Sequence, residues 1–295
     1  MSESFISTIR VQLNRAGIIT NQANPKSLEF AAYLEKWLQG RQISSIRNKV
    51  EAGLDIIVTL GGDGTLLKIA EQAARHSIPV VGVNLGSLGF LTELAEAETV
   101  PALEQMLAGS ITVENRMMLK ACMADKNGQR QTQHRYALNE VVINKNTLDK
   151  LLNLSAMADG DCITNYRADG LIFSTATGSS AYNLSAGGPL VHPGLYSILV
   201  TPICPFMLSS RPILLPGNKI ISAGFSSNCA DQSAQVIVDG QKAWEISCGQ
   251  TLLVERAEKP LQLIAASSRN YFQVLRNKLH WGGHEAKAGK TCSQP

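Results

Sequence analysis

At 295 residues the chain exceeds the usual single-domain size and predicts two domains, or one large one. With 44% hydrophobic and 17% charged residues it can bury a sizeable core, which excludes global disorder. A formal net charge of +3 gives no case for wholesale nucleic-acid or membrane-surface binding, although a local basic patch would still attract an anionic ligand. Six cysteines are scattered without a C-x-x-C pair, a pattern that predicts reduced thiols. Residues 1–21 hold no basic run followed by an unbroken apolar stretch, and the apolar region 195–208 is interrupted by Pro202 and Pro205. No membrane span is expected, and the cytoplasm is the expected compartment.

The first third reads as alternating strands and helices. Residues 16–20 (AGIIT) form a short apolar run, and a helical pattern starts at Ser27 and stops at Gly40. Residues 55–60 (DIIVTL) are continuously apolar after Asp55, as expected of a strand buried on both faces. They break into Gly61-Gly62-Asp63-Gly64, followed by a helix from Thr65 to about Arg75. The next buried strand is 78–83 (IPVVGV), followed by 84–91 (NLGSLGFL) and a helix near 100–107. Strand, glycine turn, helix and strand is the order of a parallel α/β sheet.

After about Glu114 the texture changes. Short runs of β-formers recur at 137–144, 152–158, 171–174, 197–201, 235–238, 252–255 and 261–265. Turns such as Asp159-Gly160, Pro216-Gly217 and Asp239-Gly240 separate them, predicting an all-β sandwich. The expected division is an α/β domain over 1–115, joined by a last helix at about 271–281 that packs back on it. A β-sandwich over 116–270 and a flexible tail over 282–295 complete it.

The turn after the DIIVTL strand is the strongest chemical signal. In an open parallel sheet, ligands gather at the carboxyl ends of strands, and glycines there let backbone amides approach a phosphate. Asp63 would repel an anion in a pure phosphate cradle. Its presence there suggests a further role, which could be binding a divalent metal, orienting a sugar hydroxyl, or accepting that hydroxyl's proton. The plainer alternative is a tight turn with Asp63 as a helix cap. There is no G-x-x-x-x-G-K-[ST], and the third glycine of a G-x-G-x-x-G is replaced by Leu67, so neither a P-loop nor a Rossmann dinucleotide turn is present.

Two further groups stand out. Asn139-Glu140 interrupts an apolar strand; the amide suits an adenine edge and the carboxylate suits ribose hydroxyls, or both face solvent. Around Thr177-Gly178-Ser179-Ser180-Ala181-Tyr182, the hydroxyls of Ser174, Thr175, Thr177, Ser179, Ser180 and Ser185 are more than capping requires. The small residues leave room for a flat base, with Tyr182 as a packing surface. Arg167 suits a phosphate and Asp169 an amide or hydroxyl, unless the two pair with each other or with neighbours.

Gly61-Gly62-Asp63-Gly64-Thr65 resembles the motif shared by NAD kinases, diacylglycerol and sphingoid kinases and 6-phosphofructokinases. Residues 84–91, Asn139-Glu140 within ALNEVVI, and 167–193 (RADGLIFSTATGSSAYNLSAGGPLVHP) together resemble the NAD kinase family, over about 16–279. The resemblance implies an α/β domain, a β-sandwich domain, and NAD bound between them. It implies phosphoryl transfer from ATP to the 2′-hydroxyl of the adenosine ribose of NAD, with a divalent cation, Mg²⁺, on the donor phosphates. Asp63 would accept the hydroxyl proton. Gly64, Lys68, Asn139, Glu140, Arg167, Asp169, Thr177, Ser180, Ala181, Tyr182, Asn183, Leu184 and Ser185 would line the dinucleotide site, with Lys150 and Gln241 as weaker carry-overs. Partners would be NAD and ATP, without nucleic acid or membrane. A homodimer or homotetramer is implied, in which one site borrows residues from a neighbouring subunit. The sequence departs from the family at Ala176, where proline is usual, at Ser180 for threonine, and at Phe206 for histidine. The stretch 41–53 also looks abbreviated. A lipid or sugar kinase would have no use for Asn139-Glu140 and 167–193 as a dinucleotide site. A non-catalytic NAD(H) or NADP(H) sensor would need no intact glycine turn.

Overall fold

The computed structural model describes residues 4–86, 89–92, 94–125, 127–146, 150–225, 233–265 and 271–280. The expected tail over 282–295 and Ser87-Leu88 of the NLGSLGFL segment lie outside the described residues. The chain divides into two compact units, one of Met1–Glu114 with Gln262–Pro295, the other of Asn115–Leu261.

The first unit begins with β1 (Ile6–Arg10), β2 (Arg15–Thr20), α1 (Pro25–Gln39), β3 (Ser44–Arg47) and β4 (Ile56–Leu60). It continues with α2 (Asp63–His76), β5 (Val80–Asn84), β6 (Leu94–Ala95), α3 (Glu96–Met106) and β7 (Ser110–Arg116). Every residue of β4 and β5 is buried, as their unbroken apolar runs require in a sheet covered on both faces. α1 starts two residues before the expected Ser27 because Asn24 caps it, its side chain accepting from the Lys26 amide at 3.1 Å, with Pro25 in the first turn. α3 likewise starts early, where the Glu98 carboxylate accepts the Ala95 N–H at 2.7 Å. No helix separates β3 from β4, in keeping with the short 41–53 stretch.

The second unit holds β8 (Leu119–Asp125), β9 (Arg135–Ala137), β10 (Glu140–Lys145), β11 (Leu152–Ala158), β12 (Asp161–Ala168) and β13 (Gly170–Thr175). A 3₁₀ turn (Thr177–Ser180) and the single turn α4 (Tyr182–Ser185) follow. Then come β14 (Ser197–Ile203), β15 (Ile213–Pro216), β16 (Ile221–Phe225), β17 (Ser233–Val238), β18 (Gln241–Ser247) and β19 (Gln250–Arg256). They form two six-stranded sheets, β15-β14-β13-β10-β17-β18 and β12-β11-β16-β19-β8-β9. Alternate residues from both sheets meet in one core that includes Val141, Phe173, Val200, Leu154, Met123 and Val254. This is a β-sandwich. Its hairpins at Asp159-Gly160 and Asp239-Gly240 place both residues at positive φ, which such turns demand.

Leu261–Ile264, grouped with the sandwich from its composition, is β20 and pairs in parallel with β5 of the first unit. Its residues Leu261, Leu263 and Ile264 are buried, and the first sheet runs β1-β7-β20-β5-β4-β2-β3, with β6 on β5. α5 (Tyr271–Leu279) belongs to the first unit and buries Val274 and Leu275. Contrary to the expectation of reduced thiols throughout, Cys248 is disulfide-bonded, while Cys122, Cys162 and Cys204 are free. Cys248 lies in the turn joining β18 to β19, and its spacing to the other cysteines carries no signal for pairing. No helix among the described residues is long and apolar enough to cross a membrane.

Candidate active site

The first cluster is built on the turn between β4 and α2. The N-cap of α2 is Gly62, not Asp63, and no side chain caps the helix. The Asp63 carboxylate instead accepts from the segment after β5. Its Oδ2 accepts the Phe90 N–H at 2.8 Å. Its Oδ1 accepts the Leu91 and Thr92 N–H groups, both at 3.1 Å, and the Thr92 hydroxyl at 3.0 Å. Oδ1 is thus surrounded by three donors and Oδ2 by one, which leaves acceptor capacity on Oδ2. Gly89 is what permits the approach: a Cβ there would lie 2.0 Å from Asp63 Oδ1. Gly64 is exposed beside Asp63, and Lys68 is exposed farther along α2, without an ion pair among the described residues.

The second cluster lies on the face of β10 that points away from the sandwich core. Val141 and Ile143 enter the core, so the alternation of a strand turns Glu140 and Val142 to the other side. There Val142, Ile172 and Ile203 pack beneath Ala186, just after α4. Glu140 is only 8% exposed, and its Oε2 has no hydrogen-bond partner in the structure. Burial, foremost, and then the neighbouring Asp239 carboxylate push its carboxyl up to about 8, offset in part by the Tyr182 backbone N–H donating to it. Asn139 has both backbone groups engaged, its N–H with Asp239 and its carbonyl with the Thr175 N–H, while its side-chain amide makes no hydrogen bond among the described residues. Gly178 presses against this backbone, since a Cβ there would lie 2.2 Å from the Asn139 carbonyl oxygen.

The hydroxyl-rich segment divides into internal and outward members. Thr175 Oγ1 donates to the Leu138 carbonyl at 2.6 Å and accepts the Gly178 N–H at 3.0 Å. Ser174 Oγ donates to the Asn139 carbonyl at 3.3 Å, and buried Ser179 bonds both ways with the Val191 backbone. These three explain themselves as structure. Asn183 is also spent internally, donating to Ser179 and Pro189 carbonyls and accepting from Thr201. Thr177 is buried, Ser180, Ala181 and Leu184 are half-buried, and Tyr182 and Ser185 are exposed. Burial, and then Cys204, Asp169 and Glu140, push the Tyr182 hydroxyl up, so its ring sits among these groups.

Arg167 and Asp169 do not pair with each other. Asp169 Oδ1 lies 2.5 Å from Lys145 Nζ, and the Arg167 guanidinium stacks 4.7 Å from the Phe206 ring centroid. Phe206 therefore has a role that its missing polarity hides. Gln241 opens β18 directly after the Asp239-Gly240 turn, near Glu140, and is exposed. Lys150 is exposed ahead of β11, and no contact joins it to the cluster among the described residues.

Two residues without mark in the local sequence organise these clusters. Thr92 is fully buried and links Asn84 Nδ2, at 3.3 Å, to Asp63 Oδ1. Asp239 accepts three successive N–H groups, from Leu138 at 2.7 Å, Asn139 at 2.9 Å and Glu140 at 3.0 Å. The only hint of the latter was the Asp-Gly turn dipeptide itself.

Two family models match this chain, the ATP-NAD kinase N-terminal domain over residues 10–111 and the ATP-NAD kinase C-terminal domain over 138–266. It is 38% identical to an NAD kinase of Geotalea daltonii over 286 residues, 92% of this chain and 99% of that one. The chain belongs to the NAD kinase family. An NAD kinase of Geobacter sulfurreducens is 44% identical over 251 residues, covering 85% of this chain and 87% of its own. In fold, the family member resembles a yeast NADH kinase solved with NADH, at a TM-score of 0.82 and 24% identity over 96% and 91% of the two chains. It also resembles an NAD kinase from Archaeoglobus fulgidus solved with ATP, at 0.69 and 24% over 90% and 98%.

Thr92→Val removes the hydroxyl between Asn84 and Asp63 and is expected to cost about 1–3 kcal/mol, whereas Thr92→Ser retains most of it; denaturant titration measures both. Glu140 titrates near 8 in the fold against 4.5 for its ordinary carboxyl. The stability this contributes is complete below pH 4.5 and lost as pH rises through 8. The unfolding midpoint should therefore fall between pH 6 and pH 9. Glu140→Gln, neutral throughout, should flatten that fall and raise the midpoint at pH 9 by about 4 °C. An unchanged pH dependence in the variant would remove Glu140 as its source.

Proposed function

We propose that this NAD kinase family member transfers the terminal phosphoryl group of ATP to the 2′-hydroxyl of the adenosine ribose of NAD, giving NADP and ADP. The observation that carries the reading is the Asp63 carboxylate at the carboxyl end of β4, held through Oδ1 with capacity left on Oδ2. As the bond from the ribose 2′-oxygen to the γ-phosphorus forms, the bond from that phosphorus to the β,γ-bridging oxygen breaks. The electron pair leaves on ADP, and Asp63 Oδ2 takes the hydroxyl proton.

The second cluster suits the adenosine half. The unengaged Asn139 amide matches an adenine edge, the unpartnered Glu140 Oε2 matches ribose hydroxyls, and Tyr182 offers a ring for the base. Arg167, Asp169, Thr177 and the more exposed hydroxyls of Ser180 and Ser185 complete the acceptor set, with Gln241 at its margin. Among the described residues no three His, Cys, Asp or Glu side chains converge as a metal cage. Mg²⁺ would arrive on the triphosphate, since such ions take one or two carboxylates, donor phosphates and water. Bound there, the cation would neutralise charge on the β- and γ-phosphates. We further propose a cytoplasmic homodimer or homotetramer.

Asp63→Asn should lower the rate of NADP formation from NAD and ATP by ~10²–10⁴-fold, with NAD affinity changed less than about tenfold. A coupled assay for NADP and an equilibrium titration of NAD measure the two. Turnover close to that of the unaltered chain would take Asp63 out of the proton-accepting role.

A further inference from the structure

Arg167 and Asp169 stand two residues apart at the corner where β12 passes into β13. That is about 7 Å along an extended chain, within reach of an arginine side chain. A guanidinium and a carboxylate at such spacing tend to form a bidentate pair, in which each withdraws the other from any ligand. They do not pair here. Lys145, the last residue of β10, lies across the ladder from Asp169, its N–H donating to the Asp169 carbonyl at 3.0 Å. Its Nζ comes within 2.5 Å of Asp169 Oδ1, an ion pair that is not aligned as a hydrogen bond.

The backbone of Asp169 is fixed on both sides, since its N–H donates to the Ile203 carbonyl at 2.9 Å. Its side chain is therefore not needed to hold the corner together. The two paired side chains are 15% and 25% exposed, so solvent screens their attraction less than that of a surface pair. Oδ1 is buried, whereas Oδ2 is not and accepts no hydrogen bond among the described residues. Asp169 also borders the acceptor cluster: after burial and Cys204, its charge and that of Glu140 push the Tyr182 hydroxyl up. Arg167 meanwhile stacks on Phe206 and holds no carboxylate among the described residues. Its carbonyl accepts the Phe206 N–H at 2.8 Å, which ties the segment after β14 to the same corner.

We propose that Lys145 is a positioning residue of the acceptor site. It holds the Asp169 carboxylate off Arg167, leaving the guanidinium for a phosphate of the dinucleotide and Asp169 Oδ2 for one of its N–H or O–H groups. This rests on the kinase reading and gives a task to a residue that stands behind the carboxylate. Without the ammonium, Asp169 would turn to Arg167, the cation two residues away, and the site would lose both contacts at once. The residue type suits the task. A compact ammonium engages one carboxylate oxygen and spares the other, where a guanidinium would fork across both.

Lys145→Met removes the ammonium and keeps most of the stem. KM for NAD should rise about tenfold or more, and NAD affinity by equilibrium titration should fall alike, while kcat and KM for ATP move less than about threefold. Asp169→Asn weakens NAD through its own lost contact, but it leaves no carboxylate to capture Arg167. In that background Lys145→Met should therefore weaken NAD by less than a further twofold or so. Thermal midpoints check that the variants fold, and Lys145→Gln, with the same direction expected, stands in where methionine does not. Unchanged NAD affinity in a folded Lys145 variant overturns the proposal, as does an equal rise in KM for ATP. A loss of the same size with and without the Asp169 carboxylate overturns it too. Failure of the unaltered chain to make NADP from NAD and ATP would instead overturn the kinase reading.

Discussion

The geometry around the glycine turn depends on how one carboxylate is held. Asp63 sits at the end of a strand buried on both faces, so its backbone position is set by the β2-β4-β5 ladder. Its side chain is then fixed by donors arriving from residues 90–92. Three of the four donors are backbone N–H groups, which cannot rotate away as side chains do. A carboxylate held this way loses little freedom when substrate arrives, the condition under which positioning contributes most to rate. Asymmetry between its oxygens matters equally, because a fully surrounded carboxylate would have no lone pair to offer.

The second unit uses the same device for a different purpose. Asp239 gathers the N–H groups of residues 138–140 as Asp63 gathers those of 90–92. Here the carboxylate positions the backbone of its neighbours. It aims the Asn139-Glu140 backbone, and its charge helps to keep Glu140 protonated to higher pH. The cost is a buried carboxyl with an unpartnered oxygen. Such an atom is tolerated where a ligand hydroxyl completes it.

Much of this was readable in the residues themselves. The continuous apolar runs at β4 and β5 announced a parallel sheet, and the glycine sequence between them announced the turn from β4 into α2. Asn139-Glu140 stood out because polar side chains interrupt an apolar strand. What escaped was long in range. The Asp63 contacts span 27 to 29 residues and those of Asp239 span 99 to 101, and no local pattern encodes either. Edge strands such as β15 and β18 are largely exposed and lack the alternation that marks a half-buried strand. β20 carried strand composition without its destination, since partner choice is decided by the sheet and not by the segment. The hydroxyl surplus around residue 177 misled in part, because Ser174, Thr175 and Ser179 serve the backbone.

A crystal structure of the unaltered chain with NAD and a non-hydrolysable ATP analogue tests the central claim most directly. The ribose 2′-oxygen is expected within about 3.2 Å of Asp63 Oδ2, with Oδ1 still bound to the 91–92 amides. A 2′-oxygen beyond hydrogen-bond reach of that carboxylate in every subunit, with both ligands fully bound, would contradict it.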